Sequence, residues 1–441
     1  MERWGEEHPS GRQLISGSGL AATLRRPEMV VIVCLAAILH TTILFASLRD
    51  RVNRFDFSVH YSSALALRQN LDPYMIDLRR IGVPLGLEIW PLIHSSATPF
   101  FLLCFEPLAH MAPRTAYWIW FGLNVAALVA ALVLMLGRRD FGSDRRMAWV
   151  IAAFALMYPP LADHFAYAQA QIVILLMLVL MMRCLETRRF GVAGLILAMA
   201  AALRAFPFLF VIYFAVVRRW RALIWALLGL VIIGIVTVFM TGPAIVEGFV
   251  VTTISRAGEN STIHPYDVSL SAWVTRLFWY AFGYTLSPAM NLVRLAAVAC
   301  AEATVLILAL KATARARSDQ DRDERAYMIW VVAAVMLSPV AWIHYMVLLL
   351  LPFVKIVSVA NQGRCSSRTV WAMVASYFLI ALSIEGRARA EAAGGAPLLV
   401  IVSEGAFVSL LLAFIAAYWL ASDETQATVS TELPGSKARF S

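Results

Sequence analysis

The sequence contains few charged residues for its length. Of its 441 residues, 15% are Asp, Glu, Lys or Arg and 61% are hydrophobic, and the mean hydropathy is +0.73. A water-soluble globular domain needs a more polar surface than this composition supplies. The composition therefore excludes a soluble protein and predicts one whose main solvent is lipid.

Cysteine is also scarce, and the familiar sequence motifs of several enzyme classes are absent. The five cysteines are scattered without disulfide or metal-ligand spacing: they are Cys34, Cys104, Cys184, Cys300 and Cys365. There is no glycine-rich phosphate loop, no serine nucleophile elbow, and no Asp-x-Asp pair in the segments predicted to lie outside. We therefore expect no metal and no cofactor.

Long apolar runs dominate what is present. Four of them, at 29–48, 116–136, 223–240 and 397–420, approach the ~20 residues that a helix needs to cross a hydrocarbon core of about 30 Å. In lipid every polar backbone group must be paired within its own segment, so such runs form helices. The sequence predicts an all-α polytopic membrane protein with roughly ten or more transmembrane or half-spanning helices.

The net charge of +9 arises from arginine clusters that lie between the apolar runs. These clusters alternate with connections at 161–170 and 338–344 that contain neither Lys nor Arg. This positive-inside pattern places the arginine clusters and both termini in the cytoplasm of a multi-pass protein of the cell membrane. The basic composition thus indicates orientation, and nucleic acid is not an expected partner.

The same pattern predicts the domain organisation. Residues 1–28 form a cytoplasmic segment, 29–420 a single membrane domain, and 421–441 a disordered cytoplasmic tail. Long outer loops cover about 49–114 and 241–288, and most polar residues of interest lie on that side. An enzyme there has no access to cytoplasmic nucleotide sugars, so group transfer would need a donor carried on a membrane lipid.

Two segments of unusual pattern lie in or near the first outer loop. Phe57, Tyr61 and Leu65 share one helical stripe, with Asp56 and His60 on another face, which predicts an amphipathic helix on the membrane surface. Residues 90–108 are apolar but contain three prolines, which favours a re-entrant or interfacial segment over a clean span.

The sequence pattern of residues 190–217 predicts a hairpin that enters the membrane and returns. Arginine clusters flank both ends of this run, and such clusters prefer the cytoplasm. The break at Ala205-Phe206-Pro207 would separate two half-helices and leave Arg204 near the turn. A guanidinium at membrane depth is costly unless it is paired, and a lipid phosphate is one possible counter-ion.

Short motifs recur in a specific order along most of the chain. They are Asp56-Phe57-Ser58-Val59-His60-Tyr61, Asp72-Pro73-Tyr74, Trp90-Pro91-Leu92, Pro107-Leu108, Gln171, Arg204 with Pro207, Ser269 with Arg276, and Ser338-Pro339 with Trp342 and His344-Tyr345. In this order they resemble glycosyltransferase family 87, the polyprenyl-phosphate-mannose-dependent α-mannosyltransferases of GT-C architecture. Departures include Ala170-Gln171-Ile172-Val173 for Gly-Gln-Val-Asn, Arg204 for lysine, and Asp267-Val268 for Asn-Gln.

The resemblance implies roles for individual residues. Asp56 would be the general base of an inverting transfer, since one carboxylate suffices for a single displacement; alternatively, it caps the helix that follows. The residues expected to bind donor phosphate or sugar are Arg204, Arg276, His344 and Gln171. The residues expected to bind the acceptor are His60, Asp72 and Tyr74.

The implied function is transfer of a hexose, mannose above all, from polyprenyl phosphate to a glycolipid or cell-envelope glycan. Transfer of glucose or arabinofuranose from the same kind of donor is the alternative within this chemistry. A flippase or transporter of lipid-linked sugars would use the same cations without a base, although the sequence shows no internal repeat of the kind that many transporters have. A noncatalytic membrane scaffold is the third alternative.

Overall fold

The protein is described from a computed structural model. The described residues are 25–48, 55–89, 94–137, 144–254, 266–283, 285–316, 320–392 and 396–422. The Trp90-Pro91-Leu92 motif, most of the predicted N-terminal segment and all but the first two residues of the predicted tail lie outside these ranges. Those two residues, 421 and 422, belong to the last helix.

The regular elements of the described chain are helical, as predicted. In chain order the α-helices are α1 Pro27–Leu48, α2 Phe55–Arg68, α3 Arg79–Gly82, α4 Pro99–Phe105, α5 Pro113–Met135, α6 Arg145–Leu156, α7 Pro159–Tyr167, α8 Gln171–Glu186, α9 Phe190–Leu203, α10 Phe210–Val216, α11 Trp220–Thr241, α12 Pro243–Phe249, α13 Leu270–Phe282, α14 Pro288–Ala316, α15 Gln320–Met336, α16 Leu350–Asn361, α17 Ser367–Ala392 and α18 Ala396–Ser422. Short 3-10 helices cover Val83–Leu85, Glu106–His110, Phe206–Leu209 and Ile343–Leu349, and a π-helix covers Val250–Ile254.

Seven of the described helices are long and apolar enough to cross a membrane. They include the four runs singled out in the sequence and three more: the spans are Pro27–Leu48, Pro113–Met135, Trp220–Thr241, Pro288–Arg315, Ile343–Asn361, Ser367–Ile384 and Glu404–Ser422. Shorter apolar helices accompany them, among them Phe190–Leu203 and Phe206–Val216. The prediction of a polytopic membrane protein with both spanning and half-spanning helices is confirmed.

Helix α15 lies at the centre of the bundle. From Ala326 to Met336 each of its residues is at most 1% exposed, and it packs against α8, α10, α14, α16 and α18. Its polar groups are paired: the Tyr327 hydroxyl donates to the Leu178 carbonyl at 2.9 Å, and Trp330 Nε1 donates to Thr313 Oγ1 at 2.7 Å. The outer helices expose apolar side chains, as lipid contact requires.

Helices α9 and α11 run parallel and in close contact. A β-carbon at Gly194 would lie 2.2 Å from the Ala222 carbonyl oxygen, and one at Gly229 would lie 2.7 Å from the Ala198 β-carbon. Both helices therefore begin at the same end of the bundle. The chain between them must return to its starting side through α10, so the predicted hairpin is confirmed, with Arg204 at its turn.

Helix α2 confirms the predicted helix but not its predicted setting. Its polar face is buried along with its apolar stripe: His60 is 3% exposed, and Ser58, Ser62 and Ser63 are fully buried. The helix packs against α3, α4, α7 and the Glu106–His110 turn. The polar face of this helix therefore contacts protein rather than water, and its position at the membrane surface stays a prediction.

The proline-rich segment before α5 is broken into short turns. Pro99 begins the seven-residue α4, and Pro107 lies at the start of the 3-10 helix Glu106–His110. Neither element is a span, as the prolines indicate. The Thr98 hydroxyl accepts from the Phe101 amide at 3.1 Å and donates to the Ala202 carbonyl at 2.6 Å, which ties α4 to the end of α9 beside Arg204.

Candidate active site

A hydrogen-bonded chain joins three polar side chains from distant parts of the sequence. Gln169, between α7 and α8, donates through Nε2 to Oδ2 of Asp56 in the first turn of α2. Its Oε1 accepts from Nη2 of Arg204 at 2.8 Å. One carboxamide thus bridges a carboxylate and a guanidinium.

A contact between a histidine and a carboxylate lies next to this chain. His344, at the start of the Ile343–Leu349 turn, approaches Oδ2 of Asp163 with its Nδ1 at 3.4 Å. The His344 side chain is 4% exposed and that of Asp163 is 20% exposed. The charges of His344, Arg204 and Asp163 all act on the Asp56 carboxyl group, so these residues form one cluster.

The environment of Asp56 suits a base. Burial raises the pKa of its carboxyl group above the usual range, while the positive charges of His344 and Arg204 and the hydrogen bond from Gln169 lower that pKa. A carboxylate in such a balance binds a proton more strongly than a solvent-exposed one. Because its side chain bonds to Gln169 and it lies inside the helix, the alternative of a simple N-cap is not what the structure shows.

Two neutral histidines border the cluster. Burial, with a contribution from Arg204, lowers the pKa of His60 to about 3, and burial also lowers the pKa of His164 well below its ordinary value. The His60 ring packs against Phe101 with centroids 4.9 Å apart. His164 Nε2 and Asn124 Oδ1 are 3.1 Å apart. His60 is thus brought to the site, as predicted.

The backbone before α8 is arranged to present Gln169. Ala168 has a left-handed conformation, φ 50°, and ends α7, with the Gln169 amide donating to the His164 carbonyl at 3.2 Å. The Ala168 carbonyl accepts from Trp120 Nε1 at 2.8 Å. Alanine rarely adopts this conformation, and its cost of about 1 kcal/mol or more is sustained by such surrounding contacts.

Gln171 lies beside the cluster and begins α8, as predicted. Its side chain is fully buried and is next to the Tyr345 hydroxyl. The Tyr345 ring packs on Phe206 at the hairpin turn, with centroids 5.2 Å apart. This contact joins the hairpin to the segment that carries His344.

Arg276 belongs to a second polar group. Its Nε contacts Oε1 of Glu404 at 2.9 Å, and its Nη1 donates to the Asp267 carbonyl at 2.8 Å. Asp267 Oδ1 accepts from the Ser269 and Ala341 amides, and burial raises the pKa of Asp267 to about 6. The structure thus places the Arg276 guanidinium on Glu404 and on the Asp267 carbonyl.

Asp72 and Tyr74 form contacts with other protein groups. Asp72 Oδ1 accepts from the Tyr74 amide at 2.8 Å, and the buried Tyr74 hydroxyl donates to the Ala97 carbonyl at 2.8 Å. The Tyr74 ring packs on Phe249 at the end of α12, with centroids 5.6 Å apart. These contacts join the Asp72–Tyr74 turn to Ala97 and to α12.

Sequence reasoning did not assign Asp163, His164 or Gln169 to the site. All three lie in the connection 161–170, where Gln169 counted among the polar residues of interest but received no role. The available signal was that a carboxylate, a histidine and an amide occur together in a short segment between two helices. Polar side chains at such a boundary are costly without partners.

Comparison with known sequences identifies the family of this chain. The sequence model of glycosyltransferase family 87 matches residues 98–339, more than half of the chain. The chain belongs to glycosyltransferase family 87. The part matched to this family includes Gln169, Gln171, Arg204 and Arg276, whereas Asp56 and His344 lie outside it.

Two relatives of the family 87 chain have named activities. Over 126 residues it is 32% identical to a polyprenol-phosphate-mannose-dependent alpha-(1-2)-phosphatidylinositol pentamannoside mannosyltransferase of Mycolicibacterium smegmatis, covering 28% of this chain and 30% of that protein. Over 209 residues it is 27% identical to an alpha-(1->3)-arabinofuranosyltransferase of Corynebacterium glutamicum, covering 46% of each. The matches span less than half of either relative. No solved structure matches the family 87 chain.

Proposed function

We propose that this protein transfers mannose from a polyprenyl phosphate to a glycolipid or cell-envelope glycan at the outer face of the membrane. The observation that carries this proposal is the link from Asp56 through Gln169 to Arg204. It sets a group that can accept a proton beside a cation that can hold a phosphate. Membership of family 87 and the mannosyltransferase relative support the choice of donor.

The proposed reaction is a single displacement. The acceptor hydroxyl gives its proton to the Asp56 carboxylate while its oxygen forms a bond to the anomeric carbon. The bond from that carbon to the phosphate oxygen breaks, and its electron pair leaves with polyprenyl phosphate. One displacement inverts the anomeric centre, so a β-linked donor yields an α-glycoside.

Arg204 and His344 act on the leaving group in this mechanism. Both act electrostatically on Asp56, and a guanidinium, or an imidazole when it is protonated, stabilises the negative charge that develops on the phosphate. Asp163 holds the His344 ring at 3.4 Å and fixes its orientation. Gln169 keeps Asp56 and Arg204 at a constant separation, so neither needs to be reorganised when the reaction begins.

The remaining predicted residues fall into two groups, those proposed to contact substrate and those proposed to act indirectly. His60, neutral and beside the cluster, and the buried Gln171 are retained as contacts for acceptor and sugar. Arg276, Asp72 and Tyr74 are proposed to act through the shape of the outer loops rather than by touching substrate, because their polar atoms are held by other protein groups.

Transfer of arabinofuranose is the second candidate. The Corynebacterium glutamicum relative is named for this sugar and covers more of the chain than the mannosyltransferase does. The base and cations would serve either sugar, since both reactions displace a polyprenyl phosphate.

A donor panel tests both candidates. Purified protein is incubated with polyprenyl phosphates carrying radiolabelled mannose, glucose or arabinofuranose and with membrane glycolipids, and the lipids are analysed by mass spectrometry. Label transferred from the mannose donor alone supports the proposal, and label from the arabinofuranose donor alone selects the second candidate. Transport of a lipid-linked sugar without formation of a new glycoside would overturn both.

The proposed orientation places both termini in the cytoplasm and Asp56 on the other side. Met75, 65% exposed in the first outer loop, offers a test of this. In a cysteine-free background, Met75→Cys should react with a membrane-impermeant maleimide added outside intact cells or spheroplasts. Reaction only after the membrane is opened would place this loop, and the site, in the cytoplasm.

A further inference from the structure

An arginine-lined cavity of about 410 Å³ lies at the end of α9 opposite Arg204. Its lining consists of arginine side chains and an apolar wall: Arg188, Arg189, Phe190, Gly191, Val192, Leu195, Arg221 and Trp225. The wall continues along lipid-facing side chains, because Val192, Leu195 and Trp225 are each more than 40% exposed. The arginine side chains of the cavity thus adjoin an apolar surface.

Two turns of the same design precede α9 and α11, and the first of them contributes Arg188 and Arg189 to the cavity lining. Arg188 and Arg218 both adopt a left-handed conformation, with φ 58° and 57°, and each is followed by an arginine that precedes a helix. In both turns the second arginine's amide donates to the carbonyl five residues earlier, at 2.7 Å for Arg189 and 2.9 Å for Arg219. The turns begin the parallel helices α9 and α11, so their charges converge.

The backbone at these turns favours a different residue type. Glycine or asparagine normally occupies a left-handed position after a helix, and other residues carry a cost of about 1 kcal/mol or more. Arginine at both positions places cationic side chains where the backbone alone would favour glycine.

Arg219, which does not line the cavity, is already engaged. Arg219 pairs with Asp323 at 3.1 Å and lies over the Phe190 ring at 4.8 Å. Within the described part of the chain, Arg188, Arg189 and Arg221 form no ion pair with a carboxylate. Each is exposed at the rim of the cavity. The cavity therefore has a surplus of positive charge.

We propose that this cavity binds the head group of an anionic phospholipid in the cytoplasmic leaflet. The phosphate would contact Arg188, Arg189 and Arg221, and the acyl chains would lie along Val192, Leu195 and Trp225. Arginine forks match phosphate oxygens, and basic pockets between helices on the cytoplasmic side suit acidic head groups. The N-termini of α9 and α11 add favourable partial positive charge.

This site is separate from the proposed catalytic centre. Helix α9 has 14 residues, so its two ends are roughly 20 Å apart at 1.5 Å per residue. The phosphate of the sugar donor and the phosphate of the bound phospholipid would therefore lie at opposite ends of one helix. The test below measures lipid binding and does not depend on turnover.

Native mass spectrometry of the detergent-purified protein titrated with phosphatidylglycerol or phosphatidylcholine tests the proposal. We expect selective retention of phosphatidylglycerol, and we expect Arg188→Gln with Arg189→Gln to weaken this binding on the order of 30-fold, from two arginine contacts. The matched control is Arg145→Gln with Arg146→Gln, an adjacent exposed pair at the start of α6. The control pair should leave binding unchanged.

A variant that keeps every charge distinguishes loss of the lipid site from misfolding or altered orientation. Val192→Trp fills the cavity and should also displace phosphatidylglycerol, while thermal unfolding stays near that of the original protein. Inorganic phosphate at matched concentration should compete weakly, because it lacks acyl chains. Equal retention of both lipids, equal loss in the control pair, or unchanged binding in Val192→Trp would overturn the proposal.

Discussion

Arg204 donates a 2.8 Å hydrogen bond to the Gln169 side chain, and Gln169 in turn donates to Asp56. The guanidinium at the turn of a membrane hairpin is therefore held by an amide rather than by an acid. Because an amide does not neutralise it, the positive charge of Arg204 remains for an anionic ligand. The ion pair of His344 with Asp163 differs in this respect.

Asp56→Asn should abolish most turnover without unfolding the protein. Loss of a general base costs roughly 100- to 10,000-fold in rate, and donor binding should persist because the cations remain. Transfer of labelled sugar and saturation binding of the donor measure the two effects. The control is Asp72→Asn, another carboxylate of the first outer loop, which should keep nearly full turnover. Normal turnover in Asp56→Asn would exclude Asp56 as the base.

Arg204→Gln should weaken donor binding. A charge-assisted hydrogen bond contributes about 1.5–3 kcal/mol, so affinity should fall roughly 10- to 150-fold. Binding is measured in the Asp56→Asn background, where turnover does not interfere. Arg204→Lys keeps the charge but not the forked geometry of the guanidinium. Its donor affinity should lie between the affinity with Arg204 intact and that of Arg204→Gln. If affinity is unchanged in Arg204→Gln, the donor phosphate binds elsewhere.

The pH profile should report the environment of Asp56. Its raised pKa means that the carboxyl group stays protonated to a higher pH than an ordinary aspartate, and only the ionised form accepts a proton. Activity should therefore fall as pH falls through this raised pKa. Gln169→Leu removes a hydrogen bond that lowers the pKa, so the acid limb of kcat/KM should move to higher pH. An acid limb that stays in place or moves down would contradict the proposed bridge.

Arg276 should matter for stability rather than for donor binding. Its buried pair with Glu404 predicts that Arg276→Met alone destabilises the protein by about 3 kcal/mol or more, because one charge stays buried without a partner. Adding Glu404→Leu should recover much of this loss. Thermal unfolding of the two single variants and the double variant measures the coupling. A stable Arg276→Met protein with weakened donor binding would restore its role as a phosphate ligand.

A chelator should leave transfer unchanged. The proposed reaction relies on Arg204 and His344 to stabilise the leaving phosphate, so EDTA should not lower the rate measured with labelled donor. Loss of activity that added Mg²⁺ or Mn²⁺ restores would show that a metal shares this work and would require a revised mechanism.

Much of the fold was predictable because lipid imposes a simple rule on the backbone. Apolar runs predicted the long helices, and the arginine clusters at both ends of 190–217 predicted the hairpin from the sequence alone. Helix α2 shows where the rule fails. Ser58, Ser62 and Ser63 are small enough to pack tightly, and periodicity does not distinguish a polar face against protein from one against water.

The site was only partly predictable for a different reason. Asp56 and Arg204 could be singled out from the resemblance and, for Arg204, from its cost in the membrane. Gln169 bonds to Asp56 across 113 residues, and Arg276 reaches Glu404 across 128. Local spacing carries no information about such pairs. The structure therefore added Gln169 and Asp163 to the cluster and assigned Arg276 to another.

The close approach of Gly194 to Ala222 fixes α9 along α11 and so fixes how far the hairpin turn stands from the arginine turns that begin both helices. That distance is roughly 20 Å, against a hydrocarbon core of about 30 Å. In the proposed orientation the arginine turns lie at the inner boundary, so the depth of the proposed reaction centre below the outer surface would grow with acyl-chain length. Under this proposal an acceptor sugar would have to descend further in a thicker bilayer before its hydroxyl met the carboxylate, and membrane thickness would help to determine which acceptors react.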